Sequence, residues 1–445
     1  MKFDKKIALP KSLTDYFRNR FILSLLALSL GIGISYAVPH VSLSQSYVGS
    51  YQATSCPALG NGYTAVELTN STVGIRSIAK KSTKLNTHHS LLQVVSAAPL
   101  FVDSTFGSSY TLSSQGGGGG VASTLCEPGS ADQWFVGGSG SITSAGVLDI
   151  VNSGLSGSSV EIHPYSSKNA LPPVLVKIPA NSDRKVRLDT LVAGDDLMAL
   201  EVITRAGRVT SFMYDSRKKG LRSLGMDYVA AGRGPSKHQV IPIGLNPSRA
   251  HGKVKNSLRL LVPGQLDATV SVRIASADGE FTPLGFDSKV IQRGKVLDIQ
   301  LANLISTSAF SVIIDADQPL VAGLFSQNNL DFAWGSTAEP FTRMALNFAG
   351  LTPSFTFTGN KFTVDVQMVL SSGKKVSKSL HGDSFLAWSP GAPLKTISFT
   401  SQGKSPLYGG TLIASPNGFT YLPLQSNTTP TQTLLPITDV HTLTH

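Results

Sequence analysis

The feature that most constrains the fold of this chain is an internal repeat with a long period. The stretch GVLDIVNSGLSGSSVEIHPY (146–165) recurs as SLRLLVPGQLDATVSVRIAS (257–276), so that Leu148 aligns with Leu258 at an offset of 110 residues. A third, shorter copy begins at 362–373. Each copy alternates apolar and polar residues between turn clusters, which is the pattern of half-buried strands. This period is too long for solenoid units and fits whole β-sandwich domains.

The repeat predicts an all-β fold of tandem immunoglobulin-like β-sandwich domains after one N-terminal transmembrane helix. Charged residues make up 15% of the chain, against about 25% in an average soluble protein, which suits strands better than helices with a charged face. Five glycines end the stretch 113–120, which predicts a flexible loop there. The predicted boundaries are a cytoplasmic basic tail (1–20), a transmembrane anchor or signal segment (21–38), a Ser/Thr/Gly-rich N-terminal region (39–130), three β-sandwich repeats (131–230, 231–335 and 336–425) and a disordered tail (426–445).

The segment FILSLLALSLGIGISYAV (21–38) predicts export. It contains 18 residues without a charge and follows a basic stretch. Its length suffices to cross a bilayer, and the positive-inside rule places residues 1–20 in the cytoplasm and the rest of the chain outside. The long polar stretch before it favours an uncleaved anchor in the cell membrane. A signal peptide cleaved after Ala37 stays open, because Ser35 and Ala37 are small residues at the positions that a signal peptidase reads, and cleavage would give a secreted protein.

Two cysteines, Cys56 and Cys126, both lie in the exported part. In an oxidising compartment we expect them to form a disulfide. The bond would close a loop that the chain-entropy model values at roughly 4 kcal/mol. The alternative is a reactive thiol or a metal ligand, but the chain has no CxxC and no Cys/His spacing typical of zinc. We therefore expect no metal site and no cofactor.

A basic segment joins the first two copies of the repeat. Between residues 217 and 259, ten cationic residues accompany a single acid, Asp227. The segment is either a solvated connection that keeps the protein soluble, or a contact for anionic cell-wall polymer or lipid headgroups. Nucleic acid fits less well, because the protein is exported and the segment lacks an aromatic stacking platform. The candidate contact residues are Arg217, Lys218, Lys219, Arg222, Arg233, Lys237, Arg249, Lys253, Lys255 and Arg259.

Motifs of catalytic chemistry are weak in this chain. HExxH and the GxSxG elbow of serine hydrolases are absent. Asp195 with Asp196, and Asp315 with Asp317, form acidic pairs that could bind calcium or act as a glycosidase pair. Acids are sparse here, so we interpret both pairs as turn-forming residues. The sequence therefore predicts no catalytic residues.

The region around the second cysteine resembles a known family. CEPGSADQWFVGG (126–138), the LDIVNSG strand and turn that follow, and the earlier Cys56-Pro57 are similar to the actinobacterial family catalogued as domain of unknown function 5719. Two departures are Gln133, where members tend to have an aromatic residue, and Asn-Ser-Gly at 152–154 in place of Asn-Pro-Gly. The resemblance implies a bacterial cell-envelope setting and no enzymatic activity or ligand.

These patterns predict a non-enzymatic, exported, membrane-tethered envelope protein that binds or scaffolds other envelope components. Its expected partners are the cytoplasmic membrane, through the N-terminal helix, and an anionic cell-wall polymer or another envelope protein. The alternative is a carbohydrate-binding or carbohydrate-active protein that stacks sugars on exposed Trp134, Trp334 or Trp388. Core packing is the more ordinary role for these tryptophans. In particular, Trp134 is expected to pack where the first repeat begins.

Overall fold

Alternation of apolar and polar residues produces strands along most of the chain, and the computed structural model of the protein is all-β. Among the residues described, one short helix, α1 (Leu188–Leu191), interrupts the strands after residue 50. The structure describes residues 53–58, 74–78, 96–103, 119–245, 254–301, 309–348 and 350–425, five positions between 22 and 29, and the backbone of 46–48, 62–66, 73, 86–88, 92–94, 110–115 and 432–434.

The two ends of the chain form a separate unit, residues 1–49 with 431–445. The predicted membrane segment 21–38 lies outside the described residues, apart from five helical positions. None of the helices within the described part is long and apolar enough to span a membrane. Within this unit, β1 (Ser46–Val48) pairs antiparallel with β34 (Gln432–Leu434). Within the stretch 426–445, predicted to be a disordered tail, the structure describes the backbone of β34 alone.

The remaining strands, within residues 50–430, form four sets that we call lobes 1 to 4. In lobes 1, 2 and 4, the first, sixth, third and fourth strands build one sheet, and the fifth, second, seventh and eighth build the other. Lobe 1 contains β2 (Thr54–Cys56), β3 (Gly62–Val66), β4 (Val73–Ser77), β5 (Asn86–His88), β6 (Leu92–Val94), β7 (Leu100–Asp103), β8 (Tyr110–Gln115) and β9 (Gly120–Leu125). Lobe 2 contains β10 (Asp132–Val136), β11 (Val147–Asn152), β12 (Ser158–Ser166), β13 (Val174–Ile178), β14 (Ser182–Arg187), β15 (Met198–Ala206), β16 (Val209–Lys219) and β17 (Arg222–Val229).

Lobe 3 follows the same plan with one fused strand. β24 supplies both the sixth and the seventh strand: its first half pairs with β18 and β20, and its second half pairs with β19 and β25. Lobe 3 contains β18 (Ser236–Leu245), β19 (Lys255–Leu261), β20 (Ala268–Ser276), β21 (Gly279–Phe281), β22 (Lys289–Ile291), β23 (Val296–Gln300), β24 (Ala309–Gln327) and β25 (Phe332–Ser336). Lobe 4 contains β26 (Arg343–Asn347), β27 (Ser354–Gly359), β28 (Phe362–Leu370), β29 (Lys375–Gly382), β30 (Phe385–Trp388), β31 (Leu394–Gln402), β32 (Leu407–Ser415) and β33 (Gly418–Leu424).

Lobe 2 shows how the alternating pattern builds a sandwich. Ile150 on β11 and Ile162 on β12 are buried in one apolar core, although their strands belong to opposite sheets. The turn predicted between these two strands therefore carries the chain across the sandwich. Burying such a side chain stabilises the fold by about 1.5 to 3 kcal/mol. Each of these two strands buries two apolar side chains in the core.

Lobe 1 has the strand plan of the other lobes, although no copy of the repeat is evident in its sequence. Its sheets are β2-β7-β4-β5 and β6-β3-β8-β9. The glycine-rich stretch 113–120, predicted to be a loop throughout, contributes residues 113–115 to the end of β8 and Gly120 to the start of β9. The correction has a simple reason, because antiparallel pairing of β8 with β9 extends to Gln115 and Gly120.

A disulfide joins Cys56 on β2 to Cys126, just after β9, as the sequence predicts. Both cysteines are buried with Ile75, Leu100 and Val102 in the core of lobe 1. The bond therefore fastens the first and last strands of the lobe.

We expect the protein, denatured without reductant, to take up no thiol reagent at either cysteine, and to take up two equivalents after reduction. Mass spectrometry of the labelled peptides measures this. Labelling of Cys56 or Cys126 before reduction would contradict the disulfide.

Candidate functional site

The eighth strand of each lobe is an edge strand, and the four edge strands meet one another. β9 contacts β17, β17 contacts β25, β25 contacts β33, and β33 contacts β9, which closes the four lobes into a ring. An uncovered edge would leave backbone N–H and C=O groups unpaired, and here each edge is covered by its neighbours. We call these four strands, with the carboxylates of Asp227 and Asp331, the hub.

Asp331, directly before β25, bonds to the other three lobes. Its Oδ2 accepts hydrogen bonds from the backbone N–H groups of Val121 at 2.9 Å and Phe419 at 3.1 Å. Its Oδ1 accepts a hydrogen bond from the N–H of Met226 at 3.1 Å. These donors belong to lobes 1, 4 and 2. Carboxylate acceptors make stronger hydrogen bonds than neutral ones. The Asp331 side chain therefore links the eighth strands of all four lobes.

Three glycines make room for the Asp331 carboxylate. Gly120, Gly225 and Gly418 each precede one of the donating residues in the sequence. A Cβ added at any of them would overlap a carboxylate oxygen of Asp331. Asp331, the residue before β25, therefore takes the place in lobe 3 that Gly120, Gly225 and Gly418 hold in the other three lobes.

Asp227, on β17 of lobe 2, makes a second set of bonds across the hub. Its Oδ2 accepts a hydrogen bond from the backbone N–H of Trp334 at 2.8 Å. Its Oδ1 accepts one from the hydroxyl of Thr420 at 2.7 Å and a longer one, 3.4 Å, from the N–H of Ser123. These partners lie in lobes 3, 4 and 1, so Asp227 also bonds to every other lobe.

Both hub carboxyls are fully buried, and burial dominates their protonation. It raises the pKa of Asp331 to about 7, although the backbone N–H bonds act in the opposite direction. Burial also raises the pKa of Asp227 well above its ordinary range, and the nearby charge of Asp331 adds to this. Within the part of the chain that the structure describes, no group of three His, Cys, Asp or Glu side chains could hold a metal ion. Both carboxyls can take up and release protons.

The hub was not predicted from the sequence, although the sequence contains a signal for it. GMDY (225–228), DFAW (331–334) and GFTY (418–421) share a glycine or aspartate, an apolar residue next and an aromatic residue at the fourth place. GFTY begins β33, DFAW begins one residue before β25, and GMDY begins at the fourth residue of β17. The aspartate that replaces the repeated glycine, Asp331, is the residue of lobe 3 whose side chain bonds to the other three lobes.

Two residues of the predicted basic contact surface lie between lobes 2 and 3 instead. Arg259 is 2% exposed, pairs with Asp298 at 2.7 Å and donates to the backbone oxygen of Gly138 in lobe 2 at 2.7 Å. Arg217 pairs with Asp215 at 3.0 Å, and its guanidinium lies 4.6 Å from the ring of Phe325 in lobe 3. A buried guanidinium needs such partners, so Arg259 serves the lobe interface. The half-buried Arg217 also contacts both lobes there.

The other basic candidates divide by their contacts. Arg233 pairs with Glu339 at 3.1 Å, and Arg222 donates to the backbone oxygen of Asn329 at 2.9 Å. Arg249 and Lys253 lie outside the described residues. The exposed cationic residues of the set are Lys218, Lys219, Arg222, Lys237 and Lys255.

The tryptophans mostly pack inside the protein, as expected. Trp134 is buried and stacks on Tyr165 with ring centroids 6.0 Å apart. Trp334 is buried in the hub region, where its indole N–H donates to Asp215 at 3.1 Å. Trp388 is half-buried against Phe355. The sugar-stacking alternative therefore depends on Trp388.

The acidic pairs have structural partners. Asp195 accepts hydrogen bonds from the hydroxyl and N–H of Ser167 at 2.6 and 2.9 Å, which fits the turn role. Asp315 and Asp317 lie inside β24 and not in a turn, because β24 runs continuously through both sheets of lobe 3. There Asp315 pairs with His238 at 2.7 Å.

The fold and the hub define an all-β protein built from repeated lobes. The family model described as "Family of unknown function (DUF5719)" matches residues 82–380, and the chain belongs to this family, which confirms the resemblance seen around Cys126. No curated protein matches the chain. One solved structure, described as "Crystal structure of tetra-tandem repeat in extending region of large adhesion protein", is 11% identical over 81% of this chain and 92% of its own. Its TM-score of 0.11 carries no information about the fold.

Proposed function

We propose that this chain is a non-enzymatic, exported protein of the bacterial cell envelope, tethered to the membrane by residues 21–38, that binds or scaffolds other envelope components. In this proposal its lobes are immunoglobulin-like sandwiches. The observation that supports a scaffold is the hub. Its two buried carboxyls make hydrogen bonds between lobes and so hold the four lobes in one ring. The proposal assigns partner binding to the sheet edges and loops outside the hub.

Binding to purified cell wall tests the proposal. We expect the full-length chain, in mild detergent, to sediment with cell wall at low salt. Release at high salt would identify an ionic contact with an anionic polymer, since screening weakens exposed charge interactions. Absence of retention at every salt concentration would overturn both the scaffold and the carbohydrate hypotheses.

The carbohydrate-binding alternative has one supporting observation, the half-buried ring of Trp388. This ring stacks on Phe355 at 5.9 Å and 23°, and the ammonium of Lys378 lies 5.9 Å from it. Retention that survives high salt but falls at least about tenfold in Trp388→Ala would favour sugar stacking. Trp134→Phe is the matched control, because Trp134 is buried and should leave retention unchanged.

The tether is tested by the mass of the mature protein. An intact N-terminus from Met1 supports the anchor, whereas a mature N-terminus at Val38 shows cleavage after Ala37 and a secreted protein.

A further inference from the structure

The hairpin between β16 and β17 carries an unusual combination of side chains at its tip. Leu221 is fully exposed, and it follows Gly220 at the turn. Lys218, Lys219 and Arg222 flank it, and all three are exposed. An exposed leucine is ordinary by itself, but here it projects from the centre of a cationic tip.

A second exposed aliphatic side chain lies beside the same hairpin. Ile142 is 95% exposed, in the loop that connects β10 to β11. This loop is hydrogen-bonded to β16, because the N–H of Lys218 donates to the backbone oxygen of Thr143 at 3.0 Å. The N–H of Ala145 likewise donates to the oxygen of Ser216 at 2.8 Å. Ile142 and Leu221 therefore belong to one surface, which we call the tip surface together with Lys218, Lys219 and Arg222.

The base of the hairpin is held firmly. The guanidinium of Arg217 is fixed by Asp215 and by the ring of Phe325, and Arg222 is anchored to the backbone of Asn329. The tip surface is thus presented without the conformational cost of ordering a loose loop.

The segments that form this surface carry no negatively charged side chain. Residues 216–226, the loop 141–145 and the neighbouring turn 328–330 contain no aspartate or glutamate. Asp215, Asp227 and Asp331, which border two of these segments, are buried. The exposed Asp196 accepts a hydrogen bond at 3.0 Å from the hydroxyl of Ser139, two residues before the loop 141–145. Three cations therefore face solvent without a carboxylate among these segments to neutralise them.

We infer that the tip surface docks onto an anionic lipid bilayer, with Leu221 and Ile142 entering the headgroup and acyl boundary while the three cations bind lipid phosphates. The inference rests on the proposed membrane tether, which would keep the lobes next to a bilayer. A soluble anionic polymer would need the cations alone and would leave both aliphatic side chains in water. A bilayer satisfies both kinds of side chain, since peripheral segments bind through apolar burial and electrostatic attraction together.

The test places a dye on the tip. The full-length chain with Leu221→Cys, labelled with an environment-sensitive dye without reductant, is reconstituted into vesicles of phosphatidylcholine with or without phosphatidylglycerol. The control is Leu284→Cys, because Leu284 is equally exposed but has Glu280 and Asp287 near it in the sequence. We expect a blue shift and quenching by brominated lipid at position 221, with phosphatidylglycerol present, and neither change at position 284.

Charge neutralisation gives the second readout. Each of Lys218→Gln, Lys219→Gln and Arg222→Gln should lower the ratio of lipid-exposed to water-exposed dye about fivefold. Lys375→Gln and Lys378→Gln, on the exposed strand β29, should leave the ratio unchanged.

The outcomes separate this inference from the proposed function. Extraction of the chain from vesicles by alkaline carbonate would refute the tether itself. A chain that resists extraction while the dye at position 221 stays in water overturns the tip inference alone. Loss of cell-wall sedimentation in the triple Gln variant, with no lipid contact by the dye, would assign the tip surface to a polymer instead.

Discussion

Replacing Gly418 by alanine is expected to lower the free energy of unfolding by about 4 kcal/mol. The new Cβ would overlap Oδ2 of Asp331 and approach its Cγ and Cβ. The carboxylate cannot move away without giving up the N–H groups of Val121 and Met226. Lobe 4 would then separate from the hub or the carboxylate would lose its donors, and both responses cost stability. The midpoint of urea unfolding measures the effect.

Gly403→Ala is the matched control for this substitution. Both glycines have a positive φ, +153° at Gly418 and +112° at Gly403. A Cβ at position 403 would meet no atom within 4 Å. Gly403→Ala should therefore show the cost of backbone strain alone, about 1 to 2 kcal/mol.

A double variant tests the contact directly. Asp331→Ala is destabilising by itself because it leaves three buried N–H groups without their acceptor, but it also removes Oδ2 and Cγ, the two atoms closest to a Cβ at position 418. Gly418→Ala should therefore cost less in the Asp331→Ala background than in the natural chain. Additive effects would show that the glycine is not needed to accommodate the carboxylate.

The strands and lobes were accessible from sequence where side-chain alternation is strong. Val160 and Ile162 point inward from β12 because a strand buries every second residue, and the same pattern at Val270 and Val272 reveals the copy in lobe 3. The sandwich of lobe 1 was not predicted because its sequence is rich in Ser, Thr and Gly, which leave little apolar alternation. The strand order within each lobe depends on pairing between distant segments, and no local pattern encodes it.

The hub could not be predicted from local patterns because it exists only when four lobes meet. Asp331 shows its role through the donors it contacts, which lie 210, 105 and 88 residues away along the chain. Arg259 is a different case. Its place in a basic segment predicts a contact with an anionic polymer, yet it is buried between lobes, where it bonds to Asp298 and to the backbone of Gly138. Charge counting locates cations, but only packing determines which of them reach solvent.

The protein is expected to lose stability as the pH rises from about 5 to about 8. The pKa of the buried Asp331 carboxyl is about 7 in the folded protein, against an ordinary value of 3.8. A raised pKa means that the folded state holds this proton more tightly than the unfolded state does. The contribution to stability is therefore complete below pH 3.8 and is lost as the pH rises through about 7. The difference corresponds to about 4 kcal/mol at most.

Asp331→Asn isolates the contribution of this one carboxyl. The amide cannot ionise, so we expect the slope of unfolding free energy against pH to flatten between pH 5 and 8. It should not vanish, because burial also raises the pKa of Asp149 to about 7 and that of Asp227 well above its ordinary range. Stability at pH 5 should itself be lower, since the amide nitrogen would face backbone N–H groups and supply one acceptor in place of two.

The exposed carboxyl of Asp287 supplies the matched control for the pH experiment. Asp287→Asn removes a carboxyl from the surface and should keep the slope of the natural chain. Urea unfolding at pH 5, 6, 7 and 8 compares the three proteins. A natural chain whose stability rises across this range would mean that the N–H donors of Val121, Met226 and Phe419 outweigh burial and keep Asp331 ionised. A slope unchanged by Asp331→Asn would show that the proton resides elsewhere, and the hub would then act through hydrogen-bond geometry alone.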